Sequence, residues 1–516
     1  MRHMGSAWPV ESVASPVGHA RDTWRTARPM QLAAVDLGSN SFRLEIGRVE
    51  GSLIVRQDFW KETVRLAAGI DDNQRLTKKA IGAACECLAR MNERLRGFGP
   101  GQVRAVGTQT LRAARNVSEF LLEAQAALGY PIEIIAGREE ARLVFEGCMH
   151  TLPTSSARRL VVDIGGASTE LIVGRNFAAE QAESFKIGCV TTSLRFFRNG
   201  EIDRSRFKKA QIACAAEIEE AISQFSRAHW DEAYGSSGTV GAVADILRAE
   251  GWSDGTITAD GLLKLRSAII AAGAINRIRL AGMKADRQEV IAGGVAVLAA
   301  VFETLGITEM REAAGALRVG VLYDLLGRRE HRDLRDASVE RMQTRFGVDR
   351  AQAAAVGELA GRLLLALRPK VDDSLRQRLQ WAAALHEIGF AISHGDYHKH
   401  GAYLAEHSDM PGFSRPDQEE LAALILAQRG NLKKVGFLLA DGVHAGLILS
   451  LRLAVLLCHA RRPAPLVGWS LKSGRASFEL SLDREWLARH PLSEHLLEEE
   501  SEHWQRVGQR LTLHTA

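Results

Sequence analysis

Residues 36–47 read DLGSNSFRLEIG and residues 163–174 read DIGGASTELIVG. Set side by side without gaps, the two share Asp36/Asp163, Gly38/Gly165, Ser41/Ser168, Leu44/Leu171 and Gly47/Gly174. Each follows a short apolar run, AAV before the first and LVV before the second, and leads into a further strand pattern rather than a helix. A segment that recurs 127 positions on, with its flanking strands, marks a duplicated supersecondary unit. It predicts two like lobes, each carrying one Gly-rich hairpin. In such a hairpin glycine removes the Cβ that would keep an anion away from converging backbone N–H groups.

Outward from the repeat, β-rich runs alternate with helical ones between Met30 and about Thr192. QLAAVDLG, FRLEIGRV and VRAVGT read as strands, and AIGAACECLARMNERLRGF as an amphipathic helix. That alternation is the pattern of an α/β fold. After Leu326 the character changes. GRREHRDLRD reads as a charged linker, and residues 334–460 are rich in helix formers with apolar periodicity, as in AQAAAVGELAGRLLLAL. VGWSLKSGRASFELSL then reads as a hairpin turned at Ser473-Gly474, followed by a helix and a closing strand, RLTLHT. The expected division is a flexible tail (1–30), lobe I (31–143), lobe II (144–326), a helical domain (334–462) and a small α+β cap (463–516).

Composition bounds the function. The chain has 516 residues, 46% apolar and 25% charged, as in ordinary globular proteins. Lys and Arg number 66 against 62 acidic residues, a net charge of +4. That excludes a uniformly basic coat for nucleic acid but permits a local basic channel for an anion. No run approaches the length of a membrane span, and the first thirty residues hold no apolar stretch that could serve as a signal peptide. Six scattered cysteines argue against a disulfide framework or zinc site and fit a reducing cytoplasm.

The hairpins carry the chemistry. Ser39, Asn40 and Ser41 in the first, and Ser168 and Thr169 in the second, add side-chain donors to the backbone N–H groups. Asp36 and Asp163, leading each loop, would repel phosphate unless a cation stood between, which points to hydrated Mg²⁺. A third turn, YGSSGTV (234–240), opens a helix whose N-terminus favours anions. Arg112, in TQTLRAARN, is placed to grip phosphate bidentately. In IEIIAGREEARLVFEG, Glu139 and Glu140 fall in the first helical turn, where a carboxylate near a phosphate cleft can orient and deprotonate water. There is no Walker A motif, dinucleotide fingerprint or nucleophile-elbow serine.

Together AAVDLGSNSFRLEIGRV, GTQTLRAARN, PIEIIAGREEARLVFEG, VVDIGGASTELIVG, YGSSGTVGA and AAGALRVGVLYDLL resemble the exopolyphosphatase / guanosine pentaphosphate phosphohydrolase family of the actin-like ATPase superfamily. The resemblance implies a cleft between two actin-like lobes that releases orthophosphate from the end of a polyanhydride. It places the catalytic base on Glu140, and acidic residues for Mg²⁺ and water on Asp163 and Glu170. It places phosphate contacts on Ser39, Asn40, Arg112, Gly165, Gly166, Ser168, Ser236, Gly238 and Thr239, with Arg65 a further match. Ala167 stands where many members carry a third glycine.

Farther on, LQWAAALHEIGFAISHGDYHKHGAYLAEHSDMPGF resembles the HD-like third domain of the long family members. His386-Glu387 replaces the usual His-Asp pair, and His394, His398, His400 and His407 cluster nearby. The expected role of this domain is to dimerise the protein and to extend a basic path through Lys433, Lys434, Arg452, Arg461 and Arg462. Inorganic polyphosphate is the expected substrate, with guanosine pentaphosphate the alternative, alone or as a second activity. An actin-like kinase or ATPase, or a non-catalytic polyphosphate sensor, are further alternatives.

Overall fold

The computed structural model describes residues 30–329, 333–461, 468–474 and 476–515. The expected tail therefore lies almost wholly outside the described residues, as does Arg462.

Five strands form the first sheet: β1 (Gln31–Leu37), β2 (Ser41–Glu50), β3 (Leu53–Thr63), β4 (Val103–Gly107) and β5 (Ile132–Ile134), in the order β3-β2-β1-β4-β5. β1 runs antiparallel to β2 and parallel to β4. The second sheet holds β6 (Arg159–Ile164), β7 (Thr169–Arg175), β8 (Ala178–Phe185), β9 (Glu232–Ser236), β10 (Ile257–Thr258) and β11 (Glu309–Glu312), in the order β10-β11-β9-β6-β7-β8. Without the short edge strand β10, the second sheet repeats the first strand for strand. Even the irregularities recur: the pairing slips at Ile46/Gly47 in one lobe and at Val173/Gly174 in the other. The closing glycine of each repeat thus marks a bulge, where a Cβ would strike Ile54 in one lobe and Phe145 and Ala178 in the other.

β1 and β6 are apolar almost throughout and buried along their length because helices cover both faces. Two of these covering helices are exchanged between lobes. Gly137–Met149, at the end of the first repeat, packs on β7 and β8 of the second sheet. Leu317–Arg329, at the end of the second, packs on β1 and β2 of the first. They cross where Gly147 and Gly320 let the backbones meet, since a Cβ on either would strike the other helix's main chain. Their apolar faces form a core separate from those inside each lobe. The expected lobe boundary at 143/144 falls inside the first of these helices.

The stretch 327–336 is not an extended linker over its described part. Gly327–Arg329 end one helix, and Asp333 caps the next, Leu334–Arg345. The helical domain follows, and the last sheet, β12 (Ser470–Gly474), β13 (Ser477–Leu482) and β14 (Arg510–Thr515), shares its hydrophobic core. The two expected C-terminal units are therefore one packed body. Gly474 pairs with Ser477, so the hairpin turns after Gly474 rather than at Ser473-Gly474. No two of the six cysteines are joined as a disulfide. Among the described residues no helix is long and apolar enough to cross a membrane.

Candidate active site

Both repeat hairpins open into one cleft. A Cβ on Gly166 would lie 3.0 Å from Cβ of Ser39 and 3.3 Å from the Asn40 nitrogen, so the loop of lobe II nearly touches the loop of lobe I. Gly38, Ser39, Asn40 and Ser41 line one wall, and Gly165, Gly166 and Ser168 the facing one. The helix Ser237–Ala249 aims its N-terminus at the same space, with Ser237, Gly238 and Thr239 on the wall. Thr239 Oγ1 donates to the Ile164 carbonyl at 3.1 Å, tying this third loop to β6. Ser237 holds φ +87°, a left-handed conformation costly for a residue with a Cβ.

Four carboxylates, Asp36, Glu140, Asp163 and Glu170, face this cleft and are all buried. Burial raises all four above the ordinary carboxylate range, because each charge has lost water. Glu140 is raised by burial and by Asp36, against the opposing pull of Arg112, whose Nη1 donates to Glu140 Oε2 at 2.8 Å. Asp163 is pushed up to about 7 by burial and the charge of Glu140, opposed by Arg43 and the Ser236 hydroxyl. Glu170 is raised well above its usual value by burial, Glu140 and Asp163, although the Ser184 hydroxyl donates to it at 2.8 Å. Asp36 has two guanidinium neighbours, Arg318 at 3.6 Å and Arg43 at 3.7 Å. Four buried carboxylates are thus crowded beside loops whose N–H groups suit an anion.

Four expected site residues stand off the cleft wall. Thr169 is fully buried and its hydroxyl donates to the Ile187 carbonyl at 2.7 Å; on a strand it points away from the face that carries Ser168 and Glu170. Ser236 is likewise buried, donating to the Gly315 carbonyl at 3.1 Å, and Ser237 takes its place on the wall. Arg65 sits at the mouth, half exposed, paired with Glu289 of lobe II at 2.9 Å, while its backbone N–H donates to the Asn40 carbonyl. Arg112 stands behind Glu140 rather than on the wall. Its Nη1 also donates to the Ile135 carbonyl at 2.8 Å, and its buried Nη2 has no hydrogen-bond partner.

Arg43 and Arg287 line the cleft without having been anticipated. Arg43 was accessible to the alternation rule, since it shares a strand face with Ser41. Arg287 lies in a short loop turn far along the chain, packed over Gly238, and no local pattern marks it.

Among the described residues the expected basic path over the helical domain is largely absent. Arg452 is buried, its guanidinium bonded to Glu500 at 2.6 Å and to the Ala427 carbonyl. Arg461 is paired with Asp349 and Glu387, both at 2.9 Å, and half-buried Lys434 donates to the Arg429 carbonyl. At the His386-Glu387 pair the Arg461 guanidinium occupies the Glu387 carboxylate, which stands 3.9 Å from His386 Nε2. Among the described residues no three His, Cys, Asp or Glu side chains converge as a metal cage would require.

With this geometry in place, comparison with known proteins is direct. Residues 51–329 match the Ppx/GppA phosphatase family and residues 334–501 match Ppx/GppA phosphatase, domain III. A guanosine-5'-triphosphate,3'-diphosphate pyrophosphatase of Aeromonas hydrophila is 37% identical over 484 residues, covering 92% of this chain and 97% of the relative. One of the same description from Vibrio cholerae is 36% identical over 489 residues, covering 93% and 97%. Among solved structures, an exopolyphosphatase-like protein (24% identity, 58% of this chain and 99% of that one, TM-score 0.53) and an exopolyphosphatase from Cytophaga hutchinsonii (22%, 57% and 97%, TM-score 0.52) share the two-lobed fold. The chain belongs to the Ppx/GppA phosphatase family, hydrolases of phosphoanhydride bonds, built on an actin-like fold with a helical domain III.

Proposed function

We propose that this protein removes the terminal 5'-phosphate of guanosine pentaphosphate by water attack. The observation that carries the site assignment is the convergence of both glycine hairpins and four buried carboxylates on one cleft. The nucleotide is preferred over inorganic polyphosphate because relatives of that description match more than nine-tenths of the chain.

The terminal phosphate enters between loops 38–41 and 165–168, where backbone N–H groups, Asn40, Ser41 and Ser168 donate to its oxygens. Arg43 and Arg287 supply positive charge from the cleft wall. Glu140 orients the attacking water and accepts its proton; Arg112 fixes that carboxylate and opposes the effect of burial on its proton affinity. Asp163 and Glu170 are the groups that would hold Mg²⁺, their raised proton affinities being those of buried carboxylates short of positive charge. Mg²⁺ keeps several waters and binds few carboxylates together with substrate phosphates, so it does not require a protein-only cage, and once bound it offsets the repulsion between carboxylates and phosphate.

One observation favours polyphosphate as a second substrate. Among the described residues lining the cleft none is aromatic, so no ring there stacks on a guanine. The experiment is orthophosphate release from guanosine pentaphosphate and from long polyphosphate under Mg²⁺, compared as kcat/KM, with Glu140→Gln as control. Release from the nucleotide at the level of that control would end this reading. A higher kcat/KM for polyphosphate would reverse the substrate order.

A further inference from the structure

Three consecutive residues in the first turn of the helix Gly137–Met149 are put to three uses. Glu140 faces the cleft. Arg138 pairs with Glu183 of β8 and with Asp409 of the helical domain. Glu139 points away from the cleft, buried, and its Oε2 accepts the backbone N–H of Gly412 at 3.0 Å. Gly412 belongs to the loop between the helices Tyr397–His407 and Arg415–Ala427 of the helical domain.

From Glu139 the contacts run in a closed circuit. Arg142 donates to both Glu139 oxygens at 2.8 Å and to Asp324 at 2.6 Å. Asp324 accepts from Arg328 at 2.8 Å and from Arg104 of β4 at 2.7 Å. Arg328 then donates to the Gly412 carbonyl at 2.8 Å, closing the ring on the residue where it began. Burial alone would raise Asp324, but Arg328, Arg104 and Arg142 hold it well below the ordinary carboxylate range, so the circuit is charged. Gly412 adopts φ +89°, and a Cβ there would lie 3.0 Å from Arg335 Cγ and 3.1 Å from the Arg335 nitrogen. The loop therefore needs glycine both for its conformation and for its fit.

We propose that this circuit makes the helical domain a positioning element for Glu140, with Glu139 as the positioning residue. The inference rests on the assignment of Glu140 as proton acceptor made above. Neighbouring residues of one helical turn move as a unit, so the seat of Glu139 on the Gly412 peptide sets where Glu140 stands against Arg112 and the cleft. A displacement of about 1 Å at a reacting group can cost on the order of 100-fold in rate. Domain III thus acts on the rate of the chemical step without touching substrate. Truncation after Leu326 strips Glu139 of its N–H partner and removes Arg328 itself.

Full-length Glu139→Ala and Glu139→Gln are compared with the parent protein, using guanosine pentaphosphate and Mg²⁺. Both variants lose the charge facing Arg142, and both are expected to melt lower. Only the Gln oxygen still accepts the Gly412 N–H. Positioning predicts a kcat loss of about 10-fold or more in Glu139→Ala, KM within about twofold, and most of kcat restored in Glu139→Gln. Lower melting with kcat unchanged in both variants would reduce the circuit to adhesion and overturn the proposal. So would a parallel loss of kcat in Ala and Gln. If Glu139→Ala does not fold, Gly412→Ala leaves every circuit side chain in place and should show the same kcat loss; an unchanged kcat there overturns the proposal too. Glu140→Gln separates the two assignments. An inactive Glu140→Gln beside an unaffected Glu139→Ala sinks this inference alone, whereas a fully active Glu140→Gln removes both.

Discussion

Glu140 must be ionised to accept a proton, and its neighbours pull in opposite directions. Burial and Asp36 raise its proton affinity, while Arg112 lowers it. Replacing Arg112 with Met removes the lowering influence, so the group stays protonated to higher pH. The acidic limb of the kcat/KM profile should move up by about 1–3 units, the usual effect of an adjacent arginine on a carboxylate. An unmoved limb would separate that limb from Glu140. Asp163→Ala tests the cation side: the Mg²⁺ concentration for half-maximal activity should rise, or activity should vanish at all concentrations. An unchanged Mg²⁺ dependence would leave Asp163 as a turn former. At this scale the sequence was informative where local pattern or family motif reached. Asp36, Ser39, Asn40, Glu140, Asp163 and Glu170 all face the cleft. Thr169 and Ser236 lie off the cleft wall, their short hydroxyl side chains donating to buried carbonyls. A motif specifies which residues occupy a strand but not, without the strand's facing, which of them reach the ligand.

The two exchanged helices show what was legible at the scale of elements. The first was read as a helix, and the repeat predicted two like sheets, which the strand orders display. That each helix covers the other lobe's sheet was not readable, because apolar periodicity tells that a face is buried and not against what. The reason the exchange is possible lies in two glycines. A Cβ on Gly320 would meet the Leu143 main chain, and one on Gly147 the Ala316 carbonyl, with backbone rather than flexible side chains in the way. Gly320→Val should therefore force the helices apart and destabilise the protein by about 1–3 kcal/mol, the range for overpacked cores. Because the crossing connects the lobes, activity of the folded fraction should fall as well. Thermal melting together with kcat on the soluble protein checks this. A melting temperature within error of the parent would mean that the crossing tolerates separation.

Across the whole molecule the ionisable groups divide by domain in the sign of their effect on stability. In the helical domain, His386 is fully enclosed, its Nδ1 held against the Ala383 carbonyl at 2.7 Å, and burial lowers it to about 4; His398 is lowered similarly. An unfolded histidine titrates near 6.5. Between about pH 6.5 and 4 the unfolded domain therefore binds more protons than the folded one, and stability falls as pH falls through that window. Glu387, raised by burial, opposes this in part. Around the cleft the balance runs the other way. Asp163 and Glu146 are both pushed up to about 7 by burial, and Glu140 and Glu170 are also raised; His150, lowered to about 4, and Asp324, held low by its arginines, act in the opposite sense. There the folded state holds protons that the unfolded state has released, so the lobes lose stability as pH rises from about 4 to 7. Calorimetry without Mg²⁺ should accordingly show the unfolding of the two bodies moving in opposite directions between pH 4.5 and 6.5. His386→Asn, which keeps a donor near the Ala383 carbonyl but cannot titrate, should flatten the response of the helical domain alone, by about 3 kcal/mol over the full window. Both transitions shifting together, with the histidine variant indistinguishable from the parent, would mean that the buried charge circuit couples the bodies so tightly that they unfold as one.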